Sequence, residues 1–181
     1  MARLKLATVW LGGCSGCHMS FLDLDEWLFE LAQQVDLVYS PFIDAKEYPQ
    51  KVDVVLVEGA IANEDHLQLI KTVRSQSQIL VSFGDCAVTG NVTALRNPLG
   101  SVAPVLQRCY IETADLQPQI PTEAGIVPTL LDRVQPVHTV VPVDIYLPGC
   151  PPSASRIRAV LEALLKGETP QLTGREFIKF G

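Results

Sequence analysis

The chain has 181 residues, 48% of them hydrophobic and only 19% charged, so residues 1–181 can build a full core and read as a single domain. A net charge of -6 without any basic tract excludes a nucleic-acid grip, which needs clustered Lys and Arg. No apolar run approaches the ~18 residues of a membrane span, and no targeting segment is visible, so the chain reads as cytoplasmic and soluble.

Residues 3–11 read as a buried strand, and the turn Gly12-Gly13-Cys14-Ser15-Gly16-Cys17 follows it. Phe21, Leu24, Leu28 and Leu31 then recur at helical spacing, with Ser20 as the expected N-cap. Val35–Tyr39 is a second strand. Val52–Val57 is a third, and its continuous apolar run suits a strand covered on both faces. Asn63 is expected to cap a helix that carries Leu67, Ile70 and Val73. Ile79–Phe83 is the fourth strand, leading into Gly84-Asp85-Cys86-Ala87.

From Pro98 to Pro152 the texture changes: ten of the 13 prolines fall there, which rules out one long regular element. Residues 98–142 read as an irregular, proline-rich excursion facing a partner, with one short helix over Pro128–Val134. Val143–Leu147 is the fifth strand and runs into Pro148-Gly149-Cys150-Pro151-Pro152. A last helix spans about Ser153–Lys166, stopped by Gly167. The tail after Pro170 is short and reads as docking on a neighbour or fraying.

Strands alternating with helices imply an α/β fold with a mostly parallel sheet and helices on both faces. Sites in such sheets lie at the carboxyl ends of the strands. Cys14, Cys17, Cys86 and Cys150 all fall at that edge. Four thiolates suit either zinc or an iron–sulfur cluster. A structural zinc site usually has two paired knuckles; here one pair is joined by two isolated, distant cysteines, which suits a wider cluster held by several loops. Proline after Cys150 echoes the C-P ending of ferredoxin motifs.

The fifth cysteine, Cys109, has no glycine partner and reads as a buried small hydrophobe. His18 reads as a solvent-facing loop residue, or else as a donor to the metal environment. His66 is expected on an exposed helix turn and His138 at a strand edge. Glu58, at the end of the third strand, reads as a cap or ion-pair partner for the next loop, with proton transfer as the alternative. No set of side chains points to nucleophilic catalysis.

Residues Trp10–Asp23, with Glu58-Gly59-Ala60-Ile61, Gly84-Asp85-Cys86-Ala87 and Pro148-Gly149-Cys150-Pro151-Pro152, resemble the small subunit of [NiFe]-hydrogenases. The likeness is strongest to the short form in soluble bidirectional NAD(P)-linked enzymes, the HoxY type of cyanobacteria. It spans nearly the whole chain. It implies a flavodoxin-like fold and one [4Fe–4S] cluster ligated by Cys14, Cys17, Cys86 and Cys150. It also implies an electron-transfer role between the nickel–iron site of a partner large subunit and an NAD(P)-dependent diaphorase with its own Fe–S clusters and FMN. Hydrogen chemistry would then lie on the large subunit.

Many hydrogenase small subunits carry a C-terminal cluster domain and a twin-arginine signal; neither is seen here, so one cluster is expected. Many also have a glutamate where Met19 stands, so the resemblance does not carry over a proton route through that position. The cluster subunit of respiratory complex I is the nearest alternative, but its signature has two adjacent cysteines. A flavin-binding module is a further alternative, since the implied fold is that of flavodoxin; FMN in this chain would compete with the cysteines for the glycine loop.

Overall fold

The computed structural model describes residues 3–172 and 174. Its strands are β1 (Leu4–Trp10), β2 (Val35–Tyr39), β3 (Val52–Glu58), β4 (Ile61–Asn63), β5 (Ser77–Phe83), β6 (Leu130–Gln135) and β7 (Ile145–Leu147). Five of them form one parallel sheet in the order β2-β1-β3-β5-β7. Counting only those five, this is the flavodoxin order, in which the chain turns back between β1 and β3 and leaves a crevice at their carboxyl ends.

Side chains alternate across this sheet, as strand geometry requires. On one face Leu6, Leu56, Val81, Phe83 and Leu147 pack with Phe21, Trp27, Leu31, Ile157 and Leu161. On the other, Ala7, Val9, Val55, Val57 and Leu80 pack with Ile70, Val73 and Val137. Each fully buried Val, Leu or Phe contributes about 1.5–3 kcal/mol. The central strand β3, buried on both faces, therefore anchors the sheet.

The helices are α1 (Gly16–Leu22), α2 (Trp27–Gln34), α3 (Glu64–Gln76), α4 (Asp85–Thr89), α5 (Ala103–Leu106) and α6 (Ala154–Leu165). Asn63 caps α3, its side chain accepting the His66 N–H at 2.8 Å. Gly167, just beyond α6, has a φ of 73°, as a helix stop needs.

Three expected elements differ. The single helix expected after the cysteine pair is two, broken over residues 23–26, where Asp25 has a φ of 50°. Ser15, not Ser20, precedes the first turn; Ser20 lies inside α1, and its hydroxyl donates to the Pro152 carbonyl at 2.6 Å. Pro128–Val134 is not helical: most of that stretch lies in β6, paired antiparallel with β4. A strand partner more than sixty residues upstream outweighs the local preference. The rest of the excursion is irregular, with a 3-10 helix over Asn91–Leu99 leading in and a π-helical turn at Gln107–Glu112. Leu172 reaches the first core; the last residues of the tail lie outside the described residues.

Candidate metal centre

The four cysteines stand on the turns after β1, β5 and β7. Cys14 and Cys150 are exposed, Cys86 is half-buried and Cys17 is buried. Burial raises the pKa of Cys17 furthest, followed by Glu58 and then by Cys86, Cys14 and Cys150. Burial likewise raises Cys86, a hydrogen bond with the Thr93 side chain opposes it, and Cys14, Cys150 and Glu58 add to the rise. Among the described residues, no group of three His, Cys, Asp or Glu side chains is arranged to hold a single metal ion.

The turns leave room beside the sulfurs. A Cβ on Gly84 would lie 2.2 Å from the Cys17 Sγ, and one on Gly16 would lie 3.3 Å from the Cys14 Sγ. Gly84 also has a φ of 83°, so glycine is required there on two counts. Gly12 and Ala60 exchange two backbone hydrogen bonds of 2.9 Å, fixing the cysteine turn against the end of β3.

Two buried carboxylates tie the turns together. Glu58, 1% exposed, accepts the N–H of Cys17 at 3.4 Å through Oε1 and that of His18 at 2.9 Å through Oε2. Oε2 also meets the His18 Nδ1. Asp85 accepts the Gly149 N–H at 2.7 Å and returns its own N–H to the Gly149 carbonyl at 2.9 Å. The Cys86 and Cys150 turns are thereby one unit. Together with the Ser20–Pro152 bond, these contacts link all three cysteine turns.

Several expectations change here. His18 is not a solvent-facing residue. It is buried, edge-on to Phe42 and Phe83, and its Nε2 finds no hydrogen-bond partner among the described residues. Glu58 is not a cap for the following loop but the acceptor for the cysteine turn. Cys109 is exposed, not buried, and lines a cavity of about 560 Å³ with Val105, Tyr110, Ile120 and Leu130. His66 is half-buried, and burial lowers its pKa. His138 is exposed in a 3-10 turn (Val137–Thr139) rather than in a strand. Asn91 and Thr93, which the sequence pattern did not single out, face two of the thiols; the Gly90-Asn91 pair following the Cys86 motif was the available signal.

The family described as NADH ubiquinone oxidoreductase, 20 Kd subunit, matches residues 14–164, a span that holds all four cysteines. The chain belongs to that family. Within it, the chain is 37% identical over 169 residues to the NAD-reducing hydrogenase HoxS subunit delta of Cupriavidus necator, covering 91% of this chain and 80% of that protein. It is therefore one of the family's hydrogenase small subunits. It is also 36% identical over 177 residues to a component of the F420-non-reducing hydrogenase of Methanothermobacter marburgensis, covering 94% of this chain but 56% of that protein. The chain thus spans little more than half the length of some curated relatives. A chain in the crystal structure of NAD+-reducing [NiFe]-hydrogenase in the H2-reduced state superposes with a TM-score of 0.93 at 36% identity, over 99% of this chain and 100% of that one. The Ni-Fe-Se hydrogenase of Desulfomicrobium baculatum, at 17% identity and a TM-score of 0.59, shares the fold.

The donor set fits an iron–sulfur cluster: four soft sulfurs on three rigid turns, with glycine where a side chain would fill the space beside them. No helix of the described residues is long and apolar enough to cross a membrane.

Proposed function

We propose that this chain is the electron-transfer small subunit of a bidirectional, NAD(P)-linked [NiFe]-hydrogenase, working in the cytoplasm as one cluster-binding domain. Cys14, Cys17, Cys86 and Cys150 would ligate one [4Fe–4S] cluster. Its partners would be the nickel–iron large subunit and a diaphorase carrying Fe–S clusters and FMN. The observation that carries this reading is that the four cysteines stand on three turns at the carboxyl edge of one sheet, tied together by buried hydrogen bonds. The kinship with NAD-reducing hydrogenase subunits supports the choice of enzyme.

When bound, the cluster would supply one-electron chemistry between the two partners. The protein's part is to position and to tune. Glu58 fixes the Cys14/Cys17 turn, and Asp85 locks the Cys86 and Cys150 turns together. Pairing through buried carboxylates keeps the sulfur positions set before loading, which limits reorganisation when charge changes. Burial of Cys17 opposes its thiolate, so loading must release its proton against that bias.

The exposed thiols Cys14 and Cys150, with Trp10 at 49% and Met19 at 56% exposure, put one side of the site at the surface. That side would meet the large subunit. Leu95 on the 3-10 helix leading into the excursion, and Leu99, Leu116 and Ile126 on the excursion, are also exposed and would extend the contact.

The test is to purify the complex anaerobically through a tag on this chain and assay nickel, iron, sulfide and hydrogen-dependent dye reduction. Nickel with hydrogen-dependent activity is expected. Iron and sulfide without nickel or activity, in an intact complex, would overturn the hydrogenase reading and favour a complex I-like cluster subunit, which the family's name also covers.

A further inference from the structure

Cys150 differs from the other three thiols in what its own backbone offers. The two residues after it are Pro151 and Pro152, and neither carries an N–H. A ligand sulfur ordinarily accepts N–H groups from the turn that follows it, and those bonds are one of the levers that set a cluster's potential. At Cys150 that source is missing.

A side chain from another element fills the gap. The Asn91 Nδ2 lies 3.4 Å from the Cys150 Sγ, across 59 residues of sequence. Asn91 sits directly after Gly90, at the start of the 3-10 helix that leaves α4, with a φ of 38°. Asparagine tolerates that left-handed region better than most residues, so the backbone there can aim the amide at the neighbouring turn. Two residues further on, the Thr93 side chain lies near enough to Cys86 to oppose the rise in its thiol pKa. Its hydroxyl also lies 2.9 Å from the Gly90 carbonyl and 3.2 Å from that of Gly12, which fixes it over the cysteine turn. One short segment therefore presents a polar side chain to each of two thiols.

We infer that Asn91 is a tuning residue for the cluster, its amide donating to the Cys150 sulfur in place of the backbone N–H groups that Pro151 and Pro152 lack. The inference rests on the ligand assignment proposed above. An N–H aimed at sulfur draws negative charge from it. The reduced cluster carries one more negative charge than the oxidised one, so the donor stabilises the reduced form more. Asn91 thus holds the reduction potential up, and its loss lowers the potential.

The test compares Asn91→Gly and Asn91→Asp in the intact complex. Glycine keeps the left-handed backbone and deletes the donor; aspartate keeps the shape and replaces the donor with an acceptor. The readouts are iron and sulfide content and the midpoint potential from an EPR-monitored redox titration. Both variants are expected to retain iron and sulfide and to titrate at lower potential than the parent, with Asn91→Asp shifted further. Full cluster content with an unchanged potential in both would overturn the inference and leave the ligand assignment standing. Loss of the cluster in both would also overturn it, by making Asn91 a structural support. A parent complex devoid of iron and sulfide would overturn the ligand assignment itself.

Discussion

At the carboxyl edge of the sheet, the turns after β1, β5 and β7 are tied to one another by bonds between residues far apart in sequence. Glu58 reaches Cys17 and His18, Asp85 reaches Gly149, and Ser20 reaches Pro152. In the outer excursion, residues 103–127, the bonds are local. Thr113 bonds back to the Arg108 and Cys109 carbonyls, Arg108 pairs with Glu112, and the Val127 N–H returns to Glu123. Leu116 is 86% exposed there and Ile126 is 78% exposed. Long-range, buried bonds set positions to a fraction of an ångström, as a multi-thiol ligand set requires. Local bonds with open apolar side chains leave a surface that a partner can cover. A perturbation at the edge should therefore unsettle the fold and the site together, and one in the excursion should leave both intact.

The largest effect is expected from Glu58→Ala. It strands the Cys17 and His18 N–H groups and the His18 ring in a buried site, at about 1–3 kcal/mol for each unpaired group. Unfolding in denaturant should show a loss of about 3 kcal/mol or more, and Glu58→Gln, which keeps one acceptor oxygen, should lose less. Next comes Asn63→Ala. It removes the cap of α3, which lies beside the cysteine turn, and should cost about 1 kcal/mol by the same measurement.

A smaller, pH-dependent effect is expected at His66. Its Nδ1 accepts the Ala62 N–H at 3.4 Å, and burial lowers its pKa below the ordinary 6.5. A histidine held neutral in the fold but free to protonate when unfolded contributes stability above pH 6.5, and that contribution is lost as pH falls through the depressed folded value. Melting temperatures should thus fall with acidification below about pH 6.5, less steeply in His66→Gln. The smallest effect belongs to the excursion: Cys109→Ala should change stability by no more than about 0.5 kcal/mol and leave iron and sulfide content unchanged.

The same contrast explains what the sequence disclosed. Val52–Val57 and Ile79–Phe83 announce buried parallel strands because both faces are covered and little else could be made of them. The cysteines could be placed at the sheet edge because each follows such a strand. The direction of His18 could not be read, since a turn residue's side chain is aimed by its partner, and Glu58 lies 40 residues away. Pro128–Val134 misled for the same reason: its β4 partner is distant and only three residues long. The break between α1 and α2 depends on the left-handed Asp25, a conformation that the apolar spacing of Phe21, Leu24 and Leu28 does not encode. Cys109 defeated composition because the cavity it lines opens outward.

The most direct measurement is the iron and acid-labile sulfide content, with the EPR spectrum after reduction, of the anaerobically purified complex and of its Cys86→Ser and Cys150→Ser variants. The ligand assignment requires a reducible [4Fe–4S] signal from this chain in the parent, and its loss or conversion in each variant. An unaltered signal with full metal content in either variant would contradict it.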